Sequence, residues 1–523
     1  MEDMGVSGTI QALKELLFTP YFLKYTEHLC RYLKQHKFPS VYRGKVIIFR
    51  PPLIWGGDGL ILSVMSLWLR IQGFEPVFVM DFSPSYMWKE DNFVGGNSPR
   101  NSHILISYKK EALRRFLKCL GFTVIPYTSI PIEDTGKAYD VFKWEDYWAR
   151  VSAYRWYRLP VMDNISDFLL PIYRNRLKRF LEIRGKVVHI VERLKPVFAV
   201  VMQGDLPFGG DAVEAMYFNW LKIPFLTVVR GGYDGYIRLR WDGTFSSPYD
   251  GFWNTWKNEE VEGWSEKIEQ YLSMRFSHRD KYTAYYVGNT REVVREIKIR
   301  ARGRKIIVAF PNVMWDGSVY TAYKFTSPWD WLVKLVKFAK YNRDVFLVIR
   351  SHPHEALYYA RARTYELLRT YVDDVDNIWL LPPEIKLSSY ELIDMLDGAS
   401  FAVFNGTIGM EIPIITGKKT ALAGYSHYSH KGFTYDAKSW EDYVGYLMGK
   451  EEPVQEDPRR YAYYYFIYSL LPLEMAINQR ETENYLLSPC SFRETQENGK
   501  WTKYSEKLVE LVGFKFNKES LIL

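Results

Sequence analysis

The chain is poor in cysteine. Cys30, Cys119 and Cys490 are odd in number and widely spaced, with no CxxC pair. That excludes a disulfide framework and a zinc knuckle and fits a reducing compartment, so a cytoplasmic location is expected. No stretch approaches the ~18 uninterrupted apolar residues that a membrane-spanning helix needs. The opening MEDMGVSGTIQALKELLF mixes polar and apolar residues without the apolar centre of a signal peptide. The expectation is a soluble or peripheral protein, the inner face of a membrane being the alternative location. No dense Lys/Arg run with interleaved aromatics occurs, so nucleic acid is not an expected partner. Neither GxGxxG nor a Walker A loop is present, which argues against classical dinucleotide and P-loop proteins. Internal repeats and low-complexity tracts are also missing.

What is present points to a large globular protein. At roughly 150 residues per domain, 523 residues predict two or three units. The 47% hydrophobic and 25% charged composition excludes a disordered chain. The net charge of +8 is modest for this size. A solvated basic surface is the plainer explanation, and recognition of phosphates, acidic polymers or an anionic membrane face is the sharper one. Aromatics are abundant, with 40 Tyr and 17 Trp. Additional core residues are the favoured reading, against platforms for sugar rings or a membrane interface.

Along the chain, residues 45–50 form a short apolar run suited to a buried parallel strand. The turn Trp55-Gly56-Gly57-Asp58-Gly59, a helix over 60–72 and a strand over 76–81 complete a βαβ unit, and 121–126 repeats the strand pattern. Residues 132–185, rich in Trp, Tyr and Arg, read as a helical excursion. A helix over 184–194, a strand over 197–202, the loop 203–211, a helix over 212–221 and a strand over 224–229 give another βαβ. Residues 231–300 read as an irregular stretch followed by charged, bridging helices. The second half alternates more cleanly, with strands over 305–310, 344–350, 377–381, 401–404 and 419–423 and helices between them. That pattern argues a parallel sheet covered on both faces. The expected division is therefore a first lobe over 1–300, a second over 301–450 and a helical tail over 451–523.

In open α/β sheets, ligands bind outside the carboxyl ends of strands, where each strand turns into the next helix. Every unusual loop lies at such a position. Gly406-Thr407-Ile408-Gly409 opens a helix, so its small residues, free N–H groups and partial positive charge suit a phosphate; a plain tight turn is the alternative. Glu411 either complements the helix dipole or reaches a ribose hydroxyl. His352 precedes Pro353, which fixes the chain and aims the imidazole, and Arg350 stands beside it. The pair suits a leaving phosphate, with His352 as hydrogen-bond donor or general acid. His352-x-His354 lacks a third ligand at metal-binding spacing, so no metal is expected. Asn312, Trp315 and Asp316 share one loop, which is either a site or an Asx-turn. Asp58 and Asp205 hold matching loops in the first lobe, and a base or carboxylate nucleophile is expected from one of them. A loop with Tyr425, His427 and His430 follows the last strand.

Taken in order, Phe310-Pro311-Asn312-Val313-Met314-Trp315-Asp316, Arg350-Ser351-His352-Pro353, Asn405-Gly406-Thr407-Ile408-Gly409-Met410-Glu411, Gly417-Lys418, and Gly424-Tyr425 through Gly432-Phe433-Thr434 make a pattern. Over residues 304–436 it resembles the capsule polysaccharide biosynthesis family of GT-B glycosyltransferases, which includes Kdo transferases using a CMP-linked donor. The resemblance implies two Rossmann-like lobes facing a cleft. It also implies a CMP- or UDP-linked sugar donor gripped by the second lobe, and a surface glycan or lipid-linked acceptor on the first. It implies that His352 contacts the donor phosphate, that Gly406 and Thr407 line its pocket, and that Glu411 meets the ribose or base. Asn312, Trp315, Asp316, Arg350, Gly409 and Tyr425 complete the donor motifs. No separate cofactor is expected, the nucleotide-sugar being a substrate. Asn405-Gly406-Thr407 replaces a Ser-rich segment of the family, which leaves the nucleotide and sugar open. The alternatives are a non-hydrolysing sugar-nucleotide epimerase and a non-catalytic carbohydrate-binding or scaffold protein of envelope polysaccharide assembly.

Overall fold

The computed structural model describes residues 42–49, 73–80, 120–132, 141–202, 211–230, 236–279, 288–314, 327–357, 363–372, 375–449 and 452–472 apart from a few positions within them, and short pieces elsewhere. Two sheets organise the chain. The first contains β1 (Gly44–Phe49), β2 (Phe74–Met80), β3 (Thr123–Pro126), β4 (Phe198–Met202), β5 (Phe225–Arg230) and β6 (Tyr236–Trp241), with β13 (Leu470–Pro472) returning from the C-terminal segment. Its spatial order is β13-β6-β5-β4-β1-β2-β3. The strands β3, β2, β1, β4 and β5 are parallel, while β6 and β13 add antiparallel pairs at one edge.

The second sheet contains β7 (Lys305–Phe310), β8 (Val345–Arg350), β9 (Ile378–Leu381), β10 (Ser400–Val403), β11 (Thr420–Leu422) and β12 (Thr434–Asp436). Its order is β12-β11-β10-β7-β8-β9, parallel throughout. Both sheets thus have the central order of a Rossmann fold, in which the chain builds outward from one strand and then crosses back to build the other way.

The apolar runs have two buried faces, and the period of two along each strand sorts them. Val46 and Ile48 of β1, Phe198 and Val200 of β4, Val308 and Phe310 of β7 and Phe346 and Val348 of β8 all enter one continuous core shared by both lobes. Their neighbours Ile47, Phe49, Ala199 and Val201 face a separate outer core in the first lobe. Ile307, Ala309, Leu347 and Ile349 do the same in the second. The outer core of the first lobe is roofed by α1 (Lys143–Trp156), α2 (Leu170–Leu194) and α3 (Asp211–Trp220). The expected 184–194 helix is the second half of α2, so the helical excursion and the crossover are continuous. Lys195 in the left-handed conformation and Pro196 after it end that helix.

Between the lobes run α4 (Gly251–Trp256), α5 (Trp264–Phe276) and α6 (Thr290–Ala301). The second lobe adds α7 (Pro328–Tyr341), α8 (His354–Leu357), α9 (Thr364–Val372), α10 (Ser389–Met395), α11 (Ile408–Thr416) and α12 (Trp440–Leu447). Where the sequence pattern reads as one helix over 355–371, the structure has two, α8 and α9. In the C-terminal segment, α13 (Pro458–Tyr463) is followed by a π-helical turn, Tyr464–Tyr468, and then by β13. Helix alone was expected there; the described part is helix, then strand, with a two-residue pairing of Asn478–Gln479 on Tyr485–Leu486 further on. Tyr461, Tyr463, Tyr464, Tyr465 and Phe466 are buried in the shared core, so this part of the tyrosine excess is structural. At ~150–250 Å² per aromatic side chain, such a cluster puts a large apolar area into the core shared by the two halves.

Two Rossmann-ordered sheets joined by bridging helices, with a C-terminal segment crossing back to the first, form the GT-B-like α/β layout expected from the sequence. Among the described residues, no helix is long and apolar enough to cross a membrane.

Candidate functional site

The strand order of the second sheet locates its crevice. From β7 the chain builds toward β8 and β9, then crosses back to β10 on the other side, so the helices that follow β7 and β10 lie on opposite faces of the sheet. Ligands bind at such a switch point. The loops leaving β7 and β10 carry Asn312 and Gly406, and they touch. A Cβ on Gly406 would stand 3.0 Å from Asn312 Oδ1, so glycine lets the turn close on the Asn312 side chain. The turn is self-bonded: Gly409 N–H donates to Gly406 O at 2.9 Å and Met410 N–H to Thr407 O at 2.9 Å. It leads straight into the N-terminus of α11. Thr407 occupies the N-cap position, yet its side chain makes no capping bond. Its hydroxyl is therefore not spent on the helix, and the positive end of the helix dipole lies beside it.

A residue not selected from the sequence holds this turn. The hydroxyl of Tyr428, in the loop after β11, donates to Gly406 O. A Cβ on Gly409 would lie 2.3 Å from that same hydroxyl oxygen. Packing against Tyr428 alone thus calls for glycine at position 409. No motif marked Tyr428, because a buried loop tyrosine has no chemical signature until its partner is known. Tyr425, which was selected, begins the same loop, with its ring 5.6 Å from that of His430.

His352 follows β8, the other neighbour of β7. Arg350, the last residue of β8, is buried, and its Nη1 donates to Ser351 O at 2.7 Å. The Nδ1 of His352 accepts the backbone N–H of His354 at 3.2 Å. Burial first, then His354 and Arg350, hold the imidazole far below the usual histidine range, at about 3. The ring is neutral near pH 7, and with Nδ1 accepting, its proton sits on Nε2. Of the two roles open from the sequence, the geometry favours a fixed hydrogen-bond donor over a general acid.

Glu411, in the first turn of α11, is buried and engaged with protein groups. It pairs with the guanidinium of Arg275 from α5 and accepts the Tyr390 hydroxyl at 3.3 Å. The carboxylate read as a ribose ligand is therefore also a tie between α11 and the bridging helices. Trp315, Asp316, Asp58 and Asp205 lie outside the described residues. The strands that precede the last two, β1 and β4, are the adjacent pair at which the first sheet's own order reverses. Among the described residues, no group of three or more His, Cys, Asp or Glu side chains is placed to hold a metal ion.

The loop after β11 also reaches the first lobe. His427 is buried against Tyr465, Lys431 Nζ donates to Pro248 O at 2.8 Å, and the Tyr461 hydroxyl donates to His427 O at 2.7 Å. Arg238 of β6 lies over the Tyr465 ring, 3.5 Å from its centre, and donates through Nε to Tyr465 O at 2.9 Å.

No family model matches the chain, and no curated protein matches it. Among solved structures, S. aureus MnaA with UDP aligns at 11% identity over 88% of this chain and 97% of that one, with a TM-score of 0.23. A Listeria monocytogenes protein assigned as a UDP-N-acetylglucosamine 2-epimerase aligns at 9% identity over 82% and 98%, with a TM-score of 0.20. The glycotransferase of kitacinnamycin aligns at 10% identity over 90% and 99%, with a TM-score of 0.19.

Proposed function

We propose that this protein is a GT-B glycosyltransferase of the capsule polysaccharide, Kdo-transferase-like kind, which binds a CMP- or UDP-linked sugar at the switch point of its second lobe. The observation that carries the reading is the meeting of Asn312 and Gly406 at the β7/β10 reversal, directly before the N-terminus of α11. Fold alone does not imply function, so the weight falls on the small residues and helix terminus at the switch point, with a fixed histidine donor on the loop after the neighbouring strand β8.

On this reading the bond between the sugar's anomeric carbon and the phosphate oxygen breaks, and that carbon bonds to an acceptor hydroxyl oxygen. The electron pair leaves with the phosphate. Its charge is met by the α11 N-terminus, by Arg350 and by the Nε2–H of His352, an arrangement that needs no metal and no reorganisation as charge develops. The acceptor proton goes to a carboxylate of the first lobe, Asp58 or Asp205. The acceptor is a surface glycan or a lipid-linked one, presented from the cytoplasmic side, with peripheral membrane contact in the latter case.

The test is product analysis. The protein is incubated with CMP-, UDP- and GDP-sugars, with and without a glycan acceptor, and the nucleotide and sugar products are separated. A transferase releases nucleotide and lengthens the acceptor, and His352→Gln lowers turnover. Interconversion of the nucleotide-sugar without transfer shows an epimerase instead. Turnover that is absent in both forms, with carbohydrate binding intact, shows a binding protein.

A further inference from the structure

His352 is only as well placed as the single helical turn that follows it. Helix α8 has four residues, too few to hold themselves together. Its first amide, His354 N–H, is the group that donates to His352 Nδ1, and Glu355 N–H donates to His352 O at 2.9 Å. The turn therefore fixes both the ring's tautomer and its backbone, and something else must fix the turn.

That anchor is the Glu355 side chain. Both Glu355 and Thr364 are fully buried. One carboxyl oxygen accepts the Thr364 backbone N–H at 2.9 Å and the other contacts its hydroxyl at 2.5 Å. Thr364 opens α9, whose Leu368 lies in the outer core of the second lobe. The carboxyl group thus spans nine positions of chain and bolts the one-turn helix to a helix that is itself packed. Burial of a carboxyl group is costly, and an aliphatic residue would fill the same space more cheaply. Spending a buried carboxyl on this contact makes sense where exact placement is required.

We propose that Glu355 is a positioning residue for His352, acting through the α8 turn to keep the imidazole's Nε2–H directed at the donor phosphate; the second half of this statement rests on the reading given under Proposed function. Glu355 itself touches neither the ring of His352 nor the switch-point turn by any hydrogen bond among the described residues.

The protein has nine histidines, so selective ¹⁵N-histidine labelling and long-range ¹H–¹⁵N spectra resolve their tautomers, with His352 assigned by its loss in His352→Gln. In the wild type, His352 is expected to show an acceptor Nδ1 and a protonated Nε2. In Glu355→Ala the pair is expected to move toward averaged shifts, while Glu355→Gln, which keeps an acceptor for Thr364 N–H, restores the wild-type pattern. Thr364→Val removes one of the two contacts and gives an intermediate result if the alanine variant does not fold. Unchanged His352 shifts in folded Glu355→Ala, or in Thr364→Val where that variant alone folds, overturn the positioning role. CMP and UDP are titrated in parallel. A tenfold or greater loss of affinity in Glu355→Ala, rescued by Glu355→Gln, is the expected companion result. Altered shifts with no nucleotide bound by any form keep the positioning role and overturn the donor reading.

Discussion

His427 and Tyr465 stack face to face, their ring centroids 3.9 Å apart and their planes within 4° of parallel. The guanidinium of Arg238 lies 3.5 Å from the same tyrosine ring centre. Two groups that close cannot share one face, so Tyr465 is sandwiched between a loop of the second lobe and a strand of the first. The residue after His427 is Tyr428, whose hydroxyl holds the Gly406 turn. Consecutive side chains therefore hold the switch-point turn and the C-terminal tyrosine that Arg238 of the first lobe covers.

The first prediction concerns pH. Burial foremost, then Arg240, Arg238 and Lys431, push His427 well below the usual histidine range. Below pH ~6.5 the unfolded chain binds a proton that the folded chain refuses, so stability falls as pH falls. The slope is at most about 1.4 kcal/mol per pH unit for this histidine. His427→Gln should flatten the dependence of urea midpoint on pH between 6.5 and 5; an unchanged slope contradicts the assignment.

Glu355 gives the opposite sign. Burial raises its carboxyl to about 7, against the Thr364 hydrogen bonds and Arg363, which lower it. A group raised in the folded state contributes stability that is complete below its unfolded value near 4.5 and is lost as pH rises through 7. Glu355→Gln should therefore gain on the wild type as pH rises from 5 to 7.5. Chemical denaturation across that window checks it, and parallel curves would contradict it.

These networks show where sequence reading ends. The buried apolar runs of β1, β4, β7 and β8 were legible because burial on both faces leaves uninterrupted hydrophobic stretches. The strand β6 was not, because Tyr236-Ile237-Arg238-Leu239-Arg240-Trp241 looks charged. Both arginines are buried: Arg240 pairs with Asp250 and three carbonyl oxygens, and Arg238 packs on Tyr465. Tertiary partners alone make that strand, and such partners leave no periodic trace. The strand β12, Thr434-Tyr435-Asp436, carries no apolar run to mark it, unlike the equally short β11. In the site, glycines and the His352-Pro353 pair stood out, whereas Tyr428 and Glu355 act through partners distant in sequence or hidden inside the lobe.

The Gly409–Tyr428 contact is a steric prediction. A methyl group on Gly409 would stand 2.3 Å from the Tyr428 hydroxyl oxygen, closer than atoms approach without displacement. Gly409→Ala should cost about 1–3 kcal/mol by overpacking. Tyr428→Phe removes the oxygen, so the double variant should be more stable than the sum of the two losses. Additive losses in a urea double-mutant cycle would show that the two residues do not meet.

Arg275 and Glu411 form a buried ion pair between α5 and α11. Removing one charge strands the other, a loss of about 3–5 kcal/mol. Glu411→Gln should lower the thermal midpoint even without nucleotide. If stability is unchanged and only nucleotide affinity falls, Glu411 serves the ligand rather than the lobe contact.

On the proposed reading a nucleotide-sugar docks at the carboxyl ends of β7, β10 and β8, whose loops carry Asn312, Gly406 and His352, and calorimetric titration of CMP, UDP and GDP decides it. The wild type should bind one of these nucleotides. Gly406→Val, whose Cβ would crowd Asn312 Oδ1 at 3.0 Å, and His352→Gln should each weaken that binding at least tenfold while remaining folded. Binding of none of the three, or equal affinity in wild type and both variants, would contradict the account.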